Sequence, residues 1–178
     1  MSVNSTEERL AEILATCLAE LLGEMRLNYV RITDESQPLS LPESLTAFCG
    51  FGGTDLRGSV TILGSVPLFS QLHPLPMTAT PRDLVDWACE FVNQTVGRYR
   101  NRLLAYDVSL ALGLPQTALA ENVRLSSSFC CSNNPIRFAI DGMVLEIRLQ
   151  LNIRPGFQLT NTPADGAVAL KEGSVVFF

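Results

Sequence analysis

The chain has 178 residues, 47% hydrophobic and 17% charged, with a formal net charge of −5. That balance describes a globular protein with ample material for a core; it excludes a disordered chain, and its acidic sign argues against a general nucleic-acid binder. The polar start Met1-Ser-Val-Asn-Ser-Thr-Glu-Glu is no signal peptide and no apolar run reaches the ~20 residues that cross a bilayer, so a cytoplasmic protein is expected.

Ser5 to Gly23 reads as an amphipathic helix. Ser5 and Glu8 can form a capping box, Leu10, Ile13, Leu14, Cys17, Leu18 and Leu21 line one face, and Gly23 stands where the helix can stop. Asn28 to Thr33 is a short strand with Tyr29 or Val30 inward, and Asp34 to Pro42 is a polar, proline-bearing loop. Thr46–Phe51 and Gly58–Leu63 read as two strands joined through glycines. The Gly50–Asp55 piece lacks the third glycine of a dinucleotide loop, and a strand follows it where a helix should. Ser65 to His73 is a short helix with the single histidine at its end. One histidine without an acidic cluster argues against a histidine-based metal site.

Thr80 to Leu104 is the strongest element. Thr80 can N-cap, Pro81 suits the first helical position, and Asp83 falls where a capping-box acid belongs. Leu84, Ala88, Phe91, Val92, Thr95, Val96, Tyr99 and Leu103 recur at helical spacing and form a broad apolar face. A second stripe, Asp86, Glu90, Asn93 and Gly97, advances by four, three and four residues, so these positions stack along one side. Such a stripe reads either as a solvated face or as a surface something else approaches. Gly97 favours the second, because a glycine inside a helix costs about 1 kcal/mol against alanine. Arg98, Arg100 and Arg102 suit the negative C-terminal end of the helix, or contact an acidic partner.

Asp107 to Pro115 alternates Val108, Leu110, Leu112 and Leu114 with small residues and reads as a strand ending at the proline. Glu121 to Ser128 receives no assignment. Pro135–Ile140 and Val144–Ile153 flank Asp141-Gly142 as a β-hairpin, with Met143 able to lengthen the turn. In the second strand Leu145, Ile147, Leu149 and Leu151 share the buried face, and Glu146, Arg148, Gln150 and Asn152 a wet one. Ser174 to Phe178 could add a terminal ribbon. Cys17, Cys49 and Cys89 fit buried free thiols; Cys130-Cys131 is a vicinal pair without metal or redox spacing. The sum is one domain over residues 1–178 in the α/β class: an α+β two-layer fold, a largely antiparallel sheet with two long helices on one face. Residues 155–178 form an extension that packs on the domain or meets another chain.

The order Asp86-x-x-x-Glu90-x-x-Asn93 with Gly97 beyond it, the preceding Gly50-Phe-Gly-Gly53 and Leu56–Leu63, and the following strand with Pro115 resemble the CheC/CheX/FliY family of chemotaxis phosphatases. The similarity covers about residues 8 to 155. The chain has one such motif, as in the CheX type; Glu20 is followed by Gly23 where an asparagine would stand. It departs from the family at Cys89, where glycine is common before the motif glutamate. The resemblance implies a phosphatase acting on the aspartyl phosphate of a CheY-like response regulator. Asn93 would orient the attacking water, Glu90 would pair with the regulator's lysine, Asp86 would extend the acidic contact and Gly97 would leave room for the partner. No cofactor of its own is implied; Mg²⁺ is expected on the partner. A homodimer is compatible with the CheX type. Two alternatives stay open: a module that binds a regulator without hydrolysis, and a structural protein of the flagellar switch.

Overall fold

A computed structural model describes residues 5–33, 43–121 and 135–159. In chain order it runs α1 (Thr6–Glu24), β1 (Tyr29–Ile32), β2 (Glu43–Gly52), β3 (Leu56–Ser65), α2 (Val66–Leu72), α3 (Pro81–Leu104), β4 (Ala111–Leu112), β5 (Gln116–Glu121), β6 (Ile136–Ile140) and β7 (Met143–Ile153). The strands form one antiparallel sheet in the order β1-β6-β7-β3-β2, and both β4 and β5 pair with β2 at its far edge. The helices cover one face, giving the expected two-layer α+β fold.

The helix starts obey their local chemistry. Ser5 and Glu8 close a capping box on α1, and Thr80 and Asp83 close one on α3 with Pro81 in the first turn. The stop of α1 differs from the expected one. The helix runs through Gly23 to Glu24, and Arg26 takes the left-handed conformation at φ 58°. Arg26 N–H then donates to the Gly23 carbonyl and Leu27 N–H to that of Leu22, the two bonds of a Schellman cap.

Alternation sets the sheet's inner face. Leu45, Ala47, Cys49 and Phe51 of β2 lie opposite Gly64, Ile62, Val60 and Gly58 of β3, and Ile147, Leu149 and Leu151 continue the layer on β7. Tyr29 turns inward to meet Phe138 edge-on, while Val30 points to solvent. The Asp141-Gly142 turn has φ of 47° and 81°, the conformation a two-residue type I′ hairpin requires, and Met143 pairs with Ile140 instead of joining the loop.

Three expectations need correction. Asp107 to Pro115 is not one strand. Only Ala111–Leu112 pairs, because Asp107 turns the chain at φ 58° and Val108 N–H returns to the Leu103 carbonyl. Val108 and Leu110 are buried, as their alternation implied, but as plugs at the sheet end and not as strand residues. The Ser109 carbonyl passes so close to Gly53 that a Cβ there would lie 2.3 Å from its oxygen, which explains that glycine. Second, Pro115 ends no strand; it lies just before β5, which starts at Gln116. Third, the outer face of β7 is not uniformly wet. Glu146 is fully buried, bonded at 2.8 Å by Arg137 and at 2.7 Å by Arg148. The expected loop over 34–42, Cys130-Cys131, and the extension beyond Leu159 lie outside the described residues. Leu159 itself is buried, and its carbonyl accepts from Arg9 at 2.7 Å.

A buried carboxylate is tolerable only while its cations remain. Glu146→Ala should therefore lower the unfolding free energy by about 3–5 kcal/mol, whereas exchanging Glu146 and Arg137 together for leucine and methionine should cost less. Denaturant titrations of the two variants check this; equal losses would contradict it.

Candidate functional site

The candidate site lies on α3, and its orientation follows from what the other side of that helix buries. All eight residues expected on the apolar face are buried: Leu84, Ala88, Phe91, Val92, Thr95, Val96, Tyr99 and Leu103. Phe91 meets Phe69 of α2 edge-on, and Tyr99 meets Phe51 of β2 in the same way. Thr95, the one polar member, satisfies its hydroxyl by donating to the Phe91 carbonyl at 2.8 Å. With that face committed to the sheet, the Asp86-Glu90-Asn93-Gly97 stripe faces outward.

Asp86 and Glu90 are exposed, and Asn93 and Gly97 are half-buried. Glu90 accepts from the Gln94 side chain at 2.8 Å, one turn along, which holds its carboxylate over the helix surface. No hydrogen bond engages the Asn93 carboxamide among the described residues. Its oxygen and its two N–H donors are available to something outside the chain. At Gly97 an added Cβ would meet nothing within 4 Å. The glycine is therefore not required by any close approach among the described residues.

The neighbouring strand edge can be placed by length. Cys89 Sγ lies 2.9 Å from Thr117 Oγ1 on β5, and Tyr99 meets Phe51 edge-on. Cys89 to Tyr99 is about 15 Å of helix, and Ala47, the partner of Thr117, to Phe51 is about 13 Å of strand. The two run side by side, so the Asn93 turn falls opposite Cys49. Cys49 Sγ sits 3.5 Å from the Gly113 carbonyl, and Gly113 N–H donates to Gly50 at 2.8 Å. The Gly113–Pro115 connection runs between β4 and β5 along β2 and carries Leu114, 85% exposed. The break between β4 and β5 is what sequence alternation hid.

The opposite flank of α3 is occupied by α1. Arg98 pairs with Glu24 and Arg102 with Glu20, each at 2.6 Å. The Arg98 hydrogen bond holds the Glu24 carboxyl below its ordinary range. Glu20, the residue on α1 that most nearly repeats the motif glutamate, is thereby engaged within the chain. Burial pushes the Cys17 thiol, further along the same interface, up to about 11. His73 ends α2, where its Nδ1 accepts from Leu75 N–H and its ring meets Trp87 edge-on, a capping role. Among the described residues no group of three or more histidine, cysteine, aspartate or glutamate side chains could hold a metal ion, and no helix is long and apolar enough to cross a membrane.

No family model matches the sequence, and no curated protein does. Solved structures do match. The chemotaxis protein CheX from Vibrio vulnificus superposes with a TM-score of 0.69 at 15% identity, over 84% of this chain and all of that one. A chemotactic CheC-like protein from Shewanella oneidensis gives 0.61 at 15%, over 79% of this chain and 96% of that one. CheX in a CheX–CheY–BeF3–Mg²⁺ complex from Borrelia burgdorferi gives 0.55 at 14%, over 80% and 97%. The chain therefore has the CheX-like α+β fold, and identities this low speak to fold.

Since no described residue occupies the space at Gly97, Gly97→Ala should raise stability by roughly 0.5–1 kcal/mol, the helix-propensity difference. Thermal unfolding checks it. A marked loss instead would mean the glycine serves packing and not an external surface.

Proposed function

We propose that the chain is a phosphatase of a CheY-like response regulator, with Asn93 orienting the attacking water and Glu90 anchoring the partner. The observation that carries this reading is the unengaged carboxamide of Asn93, presented outward one turn from the exposed Glu90 on a helix held rigid by its buried face. Support also comes from the fold, shared with a CheX whose solved structure is a complex with CheY, BeF3 and Mg²⁺.

The chemistry asks little of the helper protein. An aspartyl phosphate is hydrolysed when water attacks phosphorus in line, the phosphorus–carboxylate bond breaks, and inorganic phosphate and the free aspartate leave. The regulator's own Mg²⁺ and lysine balance charge on the phosphoryl group. What remains is to hold one water at the attacking position, and positioning alone can be worth several kcal/mol. A carboxamide suits this: its oxygen accepts from the water, and it brings no negative charge toward the phosphoryl oxygens. Glu90 would pair with the regulator's lysine, Asp86 would extend the acidic contact, and Gly97 would leave room for the partner's surface. Rigidity matters because a loosely held amide would not fix the water's direction.

Phosphate release from a phosphorylated regulator tests the reading. Asn93→Ala should reduce the stimulated rate by about 10²-fold or more while leaving thermal stability unchanged, since the side chain packs against nothing it bonds to. Glu90→Ala should raise KM several-fold with a smaller effect on kcat, as expected for an exposed ion pair. Wild-type rates from Asn93→Ala would refute the phosphatase reading. Tight binding of the phosphorylated regulator without faster release would select the non-hydrolysing module instead.

A further inference from the structure

The outward ridge of α3 does not end at Gly97. Arg100 stands seven residues after Asn93, so it returns to nearly the same side of the helix two turns on, about 10.5 Å away. Gly97 lies between them and offers no side chain, and no described residue comes within 4 Å of an added Cβ there. The Asn93 and Arg100 positions therefore lie on one side of the helix, with a glycine between them.

This arginine lacks the acidic partners that its neighbours have. Arg98 and Arg102, two residues to either side, rotate to the α1 flank and are neutralised there by Glu24 and Glu20. Arg100 has no carboxylate within ion-pairing distance among the described residues. Its Nε and Nη2 donate to the Asn101 side-chain oxygen at 3.3 and 3.2 Å. An amide leaves the full positive charge in place and uses only part of the five-donor fork. The contact with Asn101 restrains the guanidinium, so less order is lost when it binds.

Along the ridge the charge runs from negative at Asp86 and Glu90, through neutral Asn93 and Gly97, to positive at Arg100. We infer that Arg100 is a second docking anchor for the phosphorylated regulator, taking a carboxylate of that protein bidentately. The inference rests on the reading of this ridge as the regulator-binding surface and adds what Glu90 alone cannot supply. A single ion pair leaves the partner free to pivot. Two contacts of opposite sign, about 15 Å apart on one rigid helix, admit one orientation and disfavour its reverse. The partner must then present a cation and an anion at matching separation, which makes Arg100 a determinant of which regulator is accepted. It positions the partner and touches no reacting atom.

The test uses the full chain, a regulator loaded with beryllofluoride for binding, and the phosphorylated regulator for turnover. Arg100→Glu should weaken binding at least tenfold and Arg100→Ala severalfold, with Arg100→Lys between wild type and alanine. In each, kcat at saturating regulator should stay within about twofold of wild type. Raising salt should narrow the gap between wild type and Arg100→Glu. Unchanged affinity in Arg100→Glu, alongside lost turnover in Asn93→Ala, would overturn the role of Arg100 and leave the parent reading standing. A fall in kcat at unchanged affinity would overturn it as well. If the wild-type chain fails to bind the loaded regulator, the reading of the ridge falls and Arg100 with it.

Discussion

Everything at the candidate site depends on one packing contact: the apolar face of α3 pressed on the inner face of the sheet. Phe91, Val92, Val96 and Tyr99 are fully buried there, and the Tyr99–Phe51 and Phe91–Phe69 ring contacts fix the helix along its length and about its axis. An α-helix has one rotation about its own axis to give away. Once the apolar face takes it, the outward position of Asp86, Glu90, Asn93 and Arg100 follows without any further interaction. This is an economical way to hold a carboxamide still. Asn93 needs no bond of its own to be oriented, so its hydrogen-bonding capacity is kept for whatever docks.

The two flanks of α3 do different things. On one side α1 uses Glu20 and Glu24 to take Arg98 and Arg102, a clasp of exposed ion pairs that adds little stability by itself. Its consequence is electrostatic: it neutralises two of the three arginines in the last two turns of the helix and leaves Arg100. On the other side Cys89 and Thr117 tie α3 to β5, and Gly113, between β4 and β5, is held by Cys49 and Gly50 of β2. The site is thus a ridge between a neutralised flank and an edge that carries an exposed leucine, a shape that suits a protein surface better than a small molecule.

Much of this was legible in the residues. The apolar face of α3 could be assigned residue by residue because 3.6-residue periodicity over so many turns leaves no alternative phase. The capping boxes at Ser5 and Thr80 and the Asp141-Gly142 hairpin were readable because each is local chemistry. What could not be read depends on contacts distant in sequence. Val108 and Leu110 alternate like strand residues, yet their burial comes from a turn at Asp107 and the close pass of Ser109 over Gly53. Glu146 looks like a wet-face residue until Arg137, across the hairpin, is brought against it. The roles of Arg98, Arg100 and Arg102 were indistinguishable until α1 was placed, since only its carboxylates separate them. Gly97 suggested a close approach, yet no described residue comes within 4 Å of an added Cβ there.

The central claim is that the outward ridge of α3, and no other surface, receives the regulator through the Asn93 carboxamide. Side-chain amide resonances report on this directly, because each asparagine NH₂ gives its own signals. On titration with a beryllofluoride-loaded CheY-like regulator, the Asn93 side-chain amide should shift and gain protection from solvent exchange, with backbone shifts spreading along Asp86 to Arg100. An unmoved Asn93 signal, with the shifts centred instead on the Glu20–Arg102 flank or the β1 edge, would contradict the account.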